Sequence, residues 1–210
     1  MSDQIGLFEA IYSQRAIRRL KPDPVPDELI EKLIEAATKA PSGGNTQPWT
    51  FIVIRDASSK RKIGEWYLEA WNKTYGAMTE EQRAQAAPTL GRVYSAAEHL
   101  AFHLSEVPVM IMVCAVGAPA GGPGASARYG SVYPAVQNLL LAALGLGLGA
   151  SLTTLHKMHE DDVKALLHIP ENVETIALIP IGYPKGKYGP TTRRPVAEVT
   201  HYERWDGSKT

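Results

Sequence analysis

Apolar positions recur along this chain with two different periods, and the switches between them mark its elements. Ile5, Phe8, Ile11 and Tyr12 fall at helical spacing over residues 3–13, and Leu29, Ile30, Leu33, Ile34 and Ala37 do the same over residues 27–39. Further helices are predicted at 60–71, 93–105 and 160–167. Residues 50–55, 107–116, about 149–153 and 174–181 are instead short, nearly unbroken apolar runs bounded by Gly and Pro, the pattern of strands covered on both faces. Residues 129–146 form a helix that is apolar almost all round, with a distortion expected at Pro134, so it belongs inside the domain or at a subunit interface.

Four stretches lack a clear period. The run Lys21-Pro22-Asp23-Pro24-Val25-Pro26 is a stiff connector, because each proline restricts its own φ and its predecessor. Residues 72–92 are polar, with Gly76, Pro88 and Gly91, and read as a lid over a site; the aromatics around its start, Trp66, Tyr67, Trp71 and Tyr75, either pack internally or line a pocket for a flat substrate. Residues 117–126 are a Gly/Pro loop. Residues 196–210 are an extension along another surface, that of a second subunit being one candidate.

Composition narrows this picture. A chain of 210 residues that is 44% hydrophobic can bury one substantial core, so residues 1–210 are read as a single domain. Lys plus Arg and Asp plus Glu each total 22, which leaves no overall field to favour nucleic acid or anionic lipid. The sole cysteine, Cys114, excludes an intrachain disulfide and argues against structural zinc. The apolar run 139–152 is too short and glycine-rich to span a bilayer, and Met1-Ser2-Asp3-Gln4 lacks the features of a signal peptide, so a soluble cytoplasmic protein is expected.

Candidate chemistry gathers around Pro41-Ser42-Gly43-Gly44-Asn45-Thr46-Gln47-Pro48-Trp49. Adjacent glycines let the backbone turn its N–H groups toward a ligand, and Ser42, Asn45 and Gln47 add short directional polar groups. Taken alone, the same run serves equally as an ordinary helix-to-strand connection. Arg15, Arg18 and Arg19 lie within five residues, and Arg193 and Arg194 form a second pair far along the chain. Such clusters are either solvated or matched to carboxylates, or they converge on a phosphate that guanidinium groups bind in pairs. His99 and His103 have a metal-ligand spacing but no third ligand completes a motif, so packing or surface roles are expected and no metal site is assigned. The alternating glycines of Gly145-Leu146-Gly147-Leu148-Gly149 follow a helix and precede a strand, the reverse of the dinucleotide fingerprint; they mark a helix end and a close backbone passage, with Thr153 and Thr154 at the following strand end.

Together, Ile11-Tyr12-Ser13-Gln14-Arg15-Ala16-Ile17-Arg18-Arg19, the 40–49 loop, Gly149-Ala150-Ser151-Leu152-Thr153-Thr154 and Arg193-Arg194-Pro195 resemble the nitroreductase family of FMN-dependent oxidoreductases over nearly the whole chain. The resemblance implies an α+β fold with a mixed, mainly antiparallel sheet flanked by helices, in an intertwined homodimer with FMN at the interface. It implies that Arg15, Arg18 and Arg193 hold the FMN phosphate, ribityl chain or pyrimidine edge, that Ser42, Gly43 and Asn45 approach from the partner subunit, and that Thr153 and Thr154 line the isoalloxazine region. Gln14, Ala16 and Thr191 depart from the common pattern, with Arg19 or Arg194 as candidates to compensate. The implied activity passes hydride from NAD(P)H through flavin N5 to a nitroaromatic, quinone or similar small-molecule electron acceptor; flavin carries the chemistry, so no catalytic side chain is required. The competing readings are a flavin-sequestering or sensing protein with little turnover, and an anion-binding module without flavin.

Overall fold

The structure is a computed structural model that describes residues 5–76, 88–117, 123–205 and 207, without the side chains of residues 88–90 and 123. Its sheet contains β1 (Trp49–Ile54), β2 (Val109–Val116), β3 (Gly149–Ala150) and β4 (Val173–Gly182) in the order β1-β2-β4-β3, antiparallel at every pairing among the described residues. The helices are α1 (Leu7–Ser13), α2 (Asp27–Thr38), α3 (Ala57–Tyr75), α4 (Pro88–His103), α5 (Pro123–Gly145) and α6 (Glu160–Leu166).

Strand pleating divides the core. Val109, Ile111, Val113 and Ala115 of β2 face one way, into a cluster with Leu33 and Ala37 of α2 and Val132, Val136 and Leu139 of α5. Met110, Met112 and Cys114 face the other way, among Ile63, Tyr67 and Trp71 of α3, Leu100 of α4 and Leu104 in the 3-10 turn that follows it. Both faces are covered, which explains why β2 and β4 read as continuous apolar runs rather than alternating ones. One residue of β4, Ile176, is skipped where the register shifts between Val113 and Cys114, so Ile176 and Ala177 pack in the same cluster.

The strands and α2 lie close to their expected bounds, but three helices are longer than their sequence pattern suggested. Asp56 caps α3 by accepting a 2.7 Å hydrogen bond from the Ser59 backbone, and the helix continues past Trp71 to Tyr75, so the first residues of the expected lid are helical. The end of that segment, from Pro88, is already the first turn of α4, and the expected lid between 77 and 87 lies outside the described residues. In the same way α5 begins at Pro123, inside the run read as a loop; proline suits a first helical turn, where no backbone donor is needed. α5 continues through Pro134; Val132, Ala135, Val136, Leu139, Leu140, Ala143 and Leu144 are buried, while its first turns and a line through Gly130, Tyr133 and Gln137 are exposed. Among the described residues, no helix is long and apolar enough to cross a membrane.

Candidate functional site

The arginine segment is not helical; it runs along the open edge of the sheet beyond β3. Ile17 N–H donates to the Ala150 carbonyl at 3.0 Å, Lys21 N–H to Tyr183 at 2.7 Å, and Lys185 N–H to the Arg19 carbonyl at 2.9 Å. Ile17 and Leu20 are buried, and they pack so closely over Gly149 that a Cβ there would come within 2.8 Å of Ile17 Cγ2 and 2.7 Å of Leu20 Cδ2. The close passage expected at the alternating glycines is therefore real at Gly149. Its missing side chain is what lets the segment lie flush on the sheet.

This docking aims Arg18 into a cleft of about 600 Å³, whose other walls include Tyr67, Trp71, Tyr75, Tyr94, Leu152, Thr153 and Thr154. Thr153 lies at an antiparallel bridge to Leu178, and its hydroxyl shares a 2.7 Å hydrogen bond with the Tyr67 phenol. Burial pushes the Tyr67 phenol up, opposed by that bond and by Arg18. Arg18 is itself lowered by burial, and among the described residues it makes no hydrogen bond or ion pair. Trp71 contacts Tyr75 and Tyr94 at ring-centroid separations of 4.8 and 5.2 Å, and the Tyr94 hydroxyl donates to the Tyr75 carbonyl at 2.9 Å, tying α4 to the end of α3. Both alternatives for the aromatics thus apply at once: Tyr67 and Trp71 are buried in the core and still line the cleft.

The glycine-rich loop is built separately. Gly43–Asn45 form a 3-10 turn in which Gly44 has φ +58°, followed by positive φ at Asn45 and Gln47. Ser42 Oγ accepts from Gln47 N–H at 3.1 Å and Asn45 Oδ1 from Gln47 Nε2 at 3.2 Å, while the one bond out of the turn among the described residues, from Gly43 N–H to Ser131 Oγ, is 3.4 Å long. The loop borders a second hollow, of about 580 Å³, with Trp49, Arg128 and Ser131.

Within one chain, then, the structure brings Arg18, Thr153 and Thr154 together and leaves Ser42, Gly43 and Asn45 elsewhere. Arg15 is exposed and is not among the residues lining the cleft, in keeping with a non-helical segment that sends Arg15 and Arg18 different ways. Arg19 reaches Ser95 of α4 at 3.5 Å. Arg193 is exposed, and two residues before it Thr191 donates its N–H to the Tyr12 carbonyl at 3.0 Å, which ties this part of the chain to the end of α1.

The His99 and His103 rings lie 4.3 Å apart, with His103 Nδ1 2.9 Å from Glu106. Among the described residues, no group of three or more His, Cys, Asp or Glu side chains is placed to hold a metal ion. Cys114 is fully buried, and burial pushes its thiol up to about 11. Sequence reasoning passed over two residues. Tyr94 sits on a helical stripe like any core aromatic, and His156 lies in a 3-10 turn after β3, where it is 1% exposed and held down to about 4 by burial.

Residues 11–183 match the profile described as "Nitroreductase family". A putative NADH dehydrogenase/NAD(P)H nitroreductase of Methanothermobacter thermautotrophicus is 32% identical over 204 residues, covering 96% of this chain and 89% of that protein. An NADH dehydrogenase of Thermus thermophilus is 30% identical, with coverage of 90% and 92%. Among solved structures, oxidised iodotyrosine deiodinase bound to FMN and 3-iodo-L-tyrosine superposes with a TM-score of 0.73 at 24% identity, over 95% of this chain and 100% of that one. With residues 11–183 matched by the family profile and relatives 30–32% identical over nine-tenths of the chain or more, the chain belongs to the nitroreductase family.

Proposed function

We propose that this chain is an FMN-dependent oxidoreductase that uses NAD(P)H to reduce nitroaromatics, quinones or related conjugated acceptors. The observation that carries this reading is Arg18: a partly buried guanidinium that makes no ion pair among the described residues, set in a cleft whose other walls combine aromatic rings, hydroxyls and small apolar side chains with Glu98. Such a wall fits a flat conjugated ring with an electron-rich edge, and the cleft volume is in the range of small-molecule sites. Bound FMN would supply hydride acceptance from the nicotinamide and its delivery to the acceptor.

The chain's own residues bind and orient. Arg18 places positive charge against the ring edge where electron density gathers. Thr153, oriented by Tyr67, and Thr154 supply hydroxyls along the ring. Trp71, Tyr75 and Tyr94 offer flat apolar surface that excludes water and stacks on a planar acceptor. Arg15 and Arg193 serve the phosphate, with Arg19, whose guanidinium reaches Ser95, or Arg194 compensating for Gln14, Ala16 and Thr191. Ser42, Gly43 and Asn45 act in the partner's site. We read the chain as a single domain working as a homodimer, supported by the exposed apolar side chains Leu7, Phe8 and Tyr12 on α1 and Val196, Val199 and Trp205 in the C-terminal extension.

The test is a visible spectrum of the purified protein followed by anaerobic addition of NADH and then NADPH. Flavin bands that bleach establish the reductive half-reaction. Bands that persist with both nucleotides favour a sequestering or sensing role, and a colourless protein that FMN cannot reconstitute removes the proposal. Light scattering that shows only monomer at micromolar concentration removes the dimer.

A further inference from the structure

Tyr67 is a core residue whose one polar atom looks outward. Its ring is buried in the cluster with Ile63, Trp71 and Met112, yet the residue lines the main cleft, and its phenol oxygen lies 2.7 Å from Thr153 Oγ1. Both backbone polar groups of Thr153 are taken: its N–H donates to the Leu178 carbonyl at 3.1 Å, and its carbonyl accepts from Leu178 N–H at 2.9 Å. The bridge to Leu178 fixes this strand end, so the hydroxyl is the group Thr153 has left for a ligand.

Each of the two hydroxyls has one proton and two acceptor lone pairs, so their contact can run in either direction. Arg18 decides which. Its guanidinium carries only donors, it lines the same cleft, and its charge opposes the rise in pKa that burial imposes on the phenol. A neighbouring cation draws the lone pairs of the phenol toward itself and leaves the phenolic proton to Thr153. Thr153 then accepts from Tyr67 and turns its own proton into the cleft. The result is a two-hydroxyl wire that ends at a ligand, with a fixed positive charge beside the oxygen that would be left negative.

Reducing a quinone calls on such a wire. The acceptor takes a hydride, which on the flavin reading comes from the reduced cofactor, and one proton, which the hydride does not bring. We propose that Thr153, backed by Tyr67, delivers that proton, so that the cleft carries acid catalysis of its own and favours acceptors that are protonated on reduction. Thr153 Oγ1 gives its proton to the acceptor oxygen that becomes negative as the hydride adds, and takes the Tyr67 phenolic proton in its place. Tyr67 is left as a phenolate facing Arg18, and water entering as the product leaves restores its proton. One hydride and one proton are consumed, and a quinone becomes a hydroquinone. Thr153 touches the acceptor, and Tyr67 acts through it. The proposal rests on the flavin reading for the source of the hydride.

The test uses FMN-loaded protein, reduced anaerobically with dithionite and mixed with excess benzoquinone, which takes up a proton, or ferricyanide, which takes up only an electron. Tyr67→Phe and Thr153→Val should each lower the ratio of the benzoquinone rate to the ferricyanide rate by about a hundredfold, whereas Thr153→Ser, which keeps the hydroxyl, should stay close to wild type. An unchanged ratio, including one in which both acceptors slow equally, would make the pair a structural one and overturn the proposal. Loss of FMN from Tyr67→Phe would assign the pair to cofactor binding and overturn it as well. A second readout needs no flavin. In an ultraviolet difference titration of apoprotein against Tyr67→Phe, the Tyr67 phenol should ionise above the ordinary tyrosine range and higher still in Arg18→Ala, since Arg18 lowers it and Tyr75, the other charged neighbour acting on it, raises it. A phenol indifferent to Arg18 would remove the charge that orients the wire and overturn the proposal. A protein that takes up no FMN sinks the flavin reading and the relay with it, and its lack of colour tells that outcome from failure of the relay alone.

Discussion

Residues 14–20 and residues 42–47 are the two stretches richest in candidate ligand groups, and they are held in opposite ways. The first has backbone hydrogen bonds to Ala150 and, just beyond it, to Tyr183 and Lys185, and it buries Ile17 and Leu20 over a glycine whose side-chain space they fill. The second is exposed through most of its length, is bonded chiefly to itself, and holds Gly44, Asn45 and Gln47 at positive φ. One half of the site is fixed by its own chain's core. The other is an exposed, preformed turn that lies outside the arginine cleft and borders a separate hollow with Trp49, Arg128 and Ser131.

The strongest way to break this contrast is Gly149→Val. The branched side chain meets Ile17 and Leu20 at their closest approach, so a loss of about 3 kcal/mol in urea unfolding is expected, together with loss of FMN. Unchanged stability would mean that the segment is not seated as described. Next comes acid. His156 is buried and neutral, with its pKa lowered to about 4, so the unfolded chain takes up a proton below its ordinary 6.5 while the folded chain does not. Stability therefore falls as pH drops from 6.5 toward 4, with a His156 share of about 2 kcal/mol at pH 5. The difference in unfolding free energy between wild type and His156→Leu, followed against pH, should show that share; a flat difference would refute it.

Arg18→Ala should weaken FMN retention by about tenfold, or slow flavin reduction, with little effect on folding. Unchanged flavin content and unchanged reduction kinetics would remove Arg18 from that role. The smallest effect is expected in the exposed loop. Gly44→Ala meets no heavy atom closer than 3.8 Å, so only its φ of +58° resists, at about 1 kcal/mol. If the loop serves a partner's site, this variant should lose flavin out of proportion to its stability, and mixing it with Arg18→Ala protein should restore wild-type sites in part of the mixed dimers.

The same contrast explains what the sequence revealed. Four strands were legible because β2 and β4 are covered on both faces and keep unbroken apolar runs, and the Gly149 passage because glycines beside a strand signal close approach. The start of α5 was hidden because a Pro-Gly-Ala-Ser run looks like a loop until its first turn is seen to need no donor at Pro123. The cleft was only half visible: Arg18 and the threonines stood out by type, but Tyr67 and Trp71 belong to core and cleft together, a double role that no periodicity records.

The segment over Gly149 also bears on solubility. A sheet edge is a template for pairing with other chains, and beyond β3 that template is occupied by residues 17–21, where the Ala150 and Tyr183 carbonyls already have donors. Anything that peels the segment away, whether an empty flavin site or a clash at Gly149, uncovers an aggregation-competent edge at the same moment that it releases Arg18. Precipitation on storage should therefore track cofactor loss more closely than it tracks global unfolding.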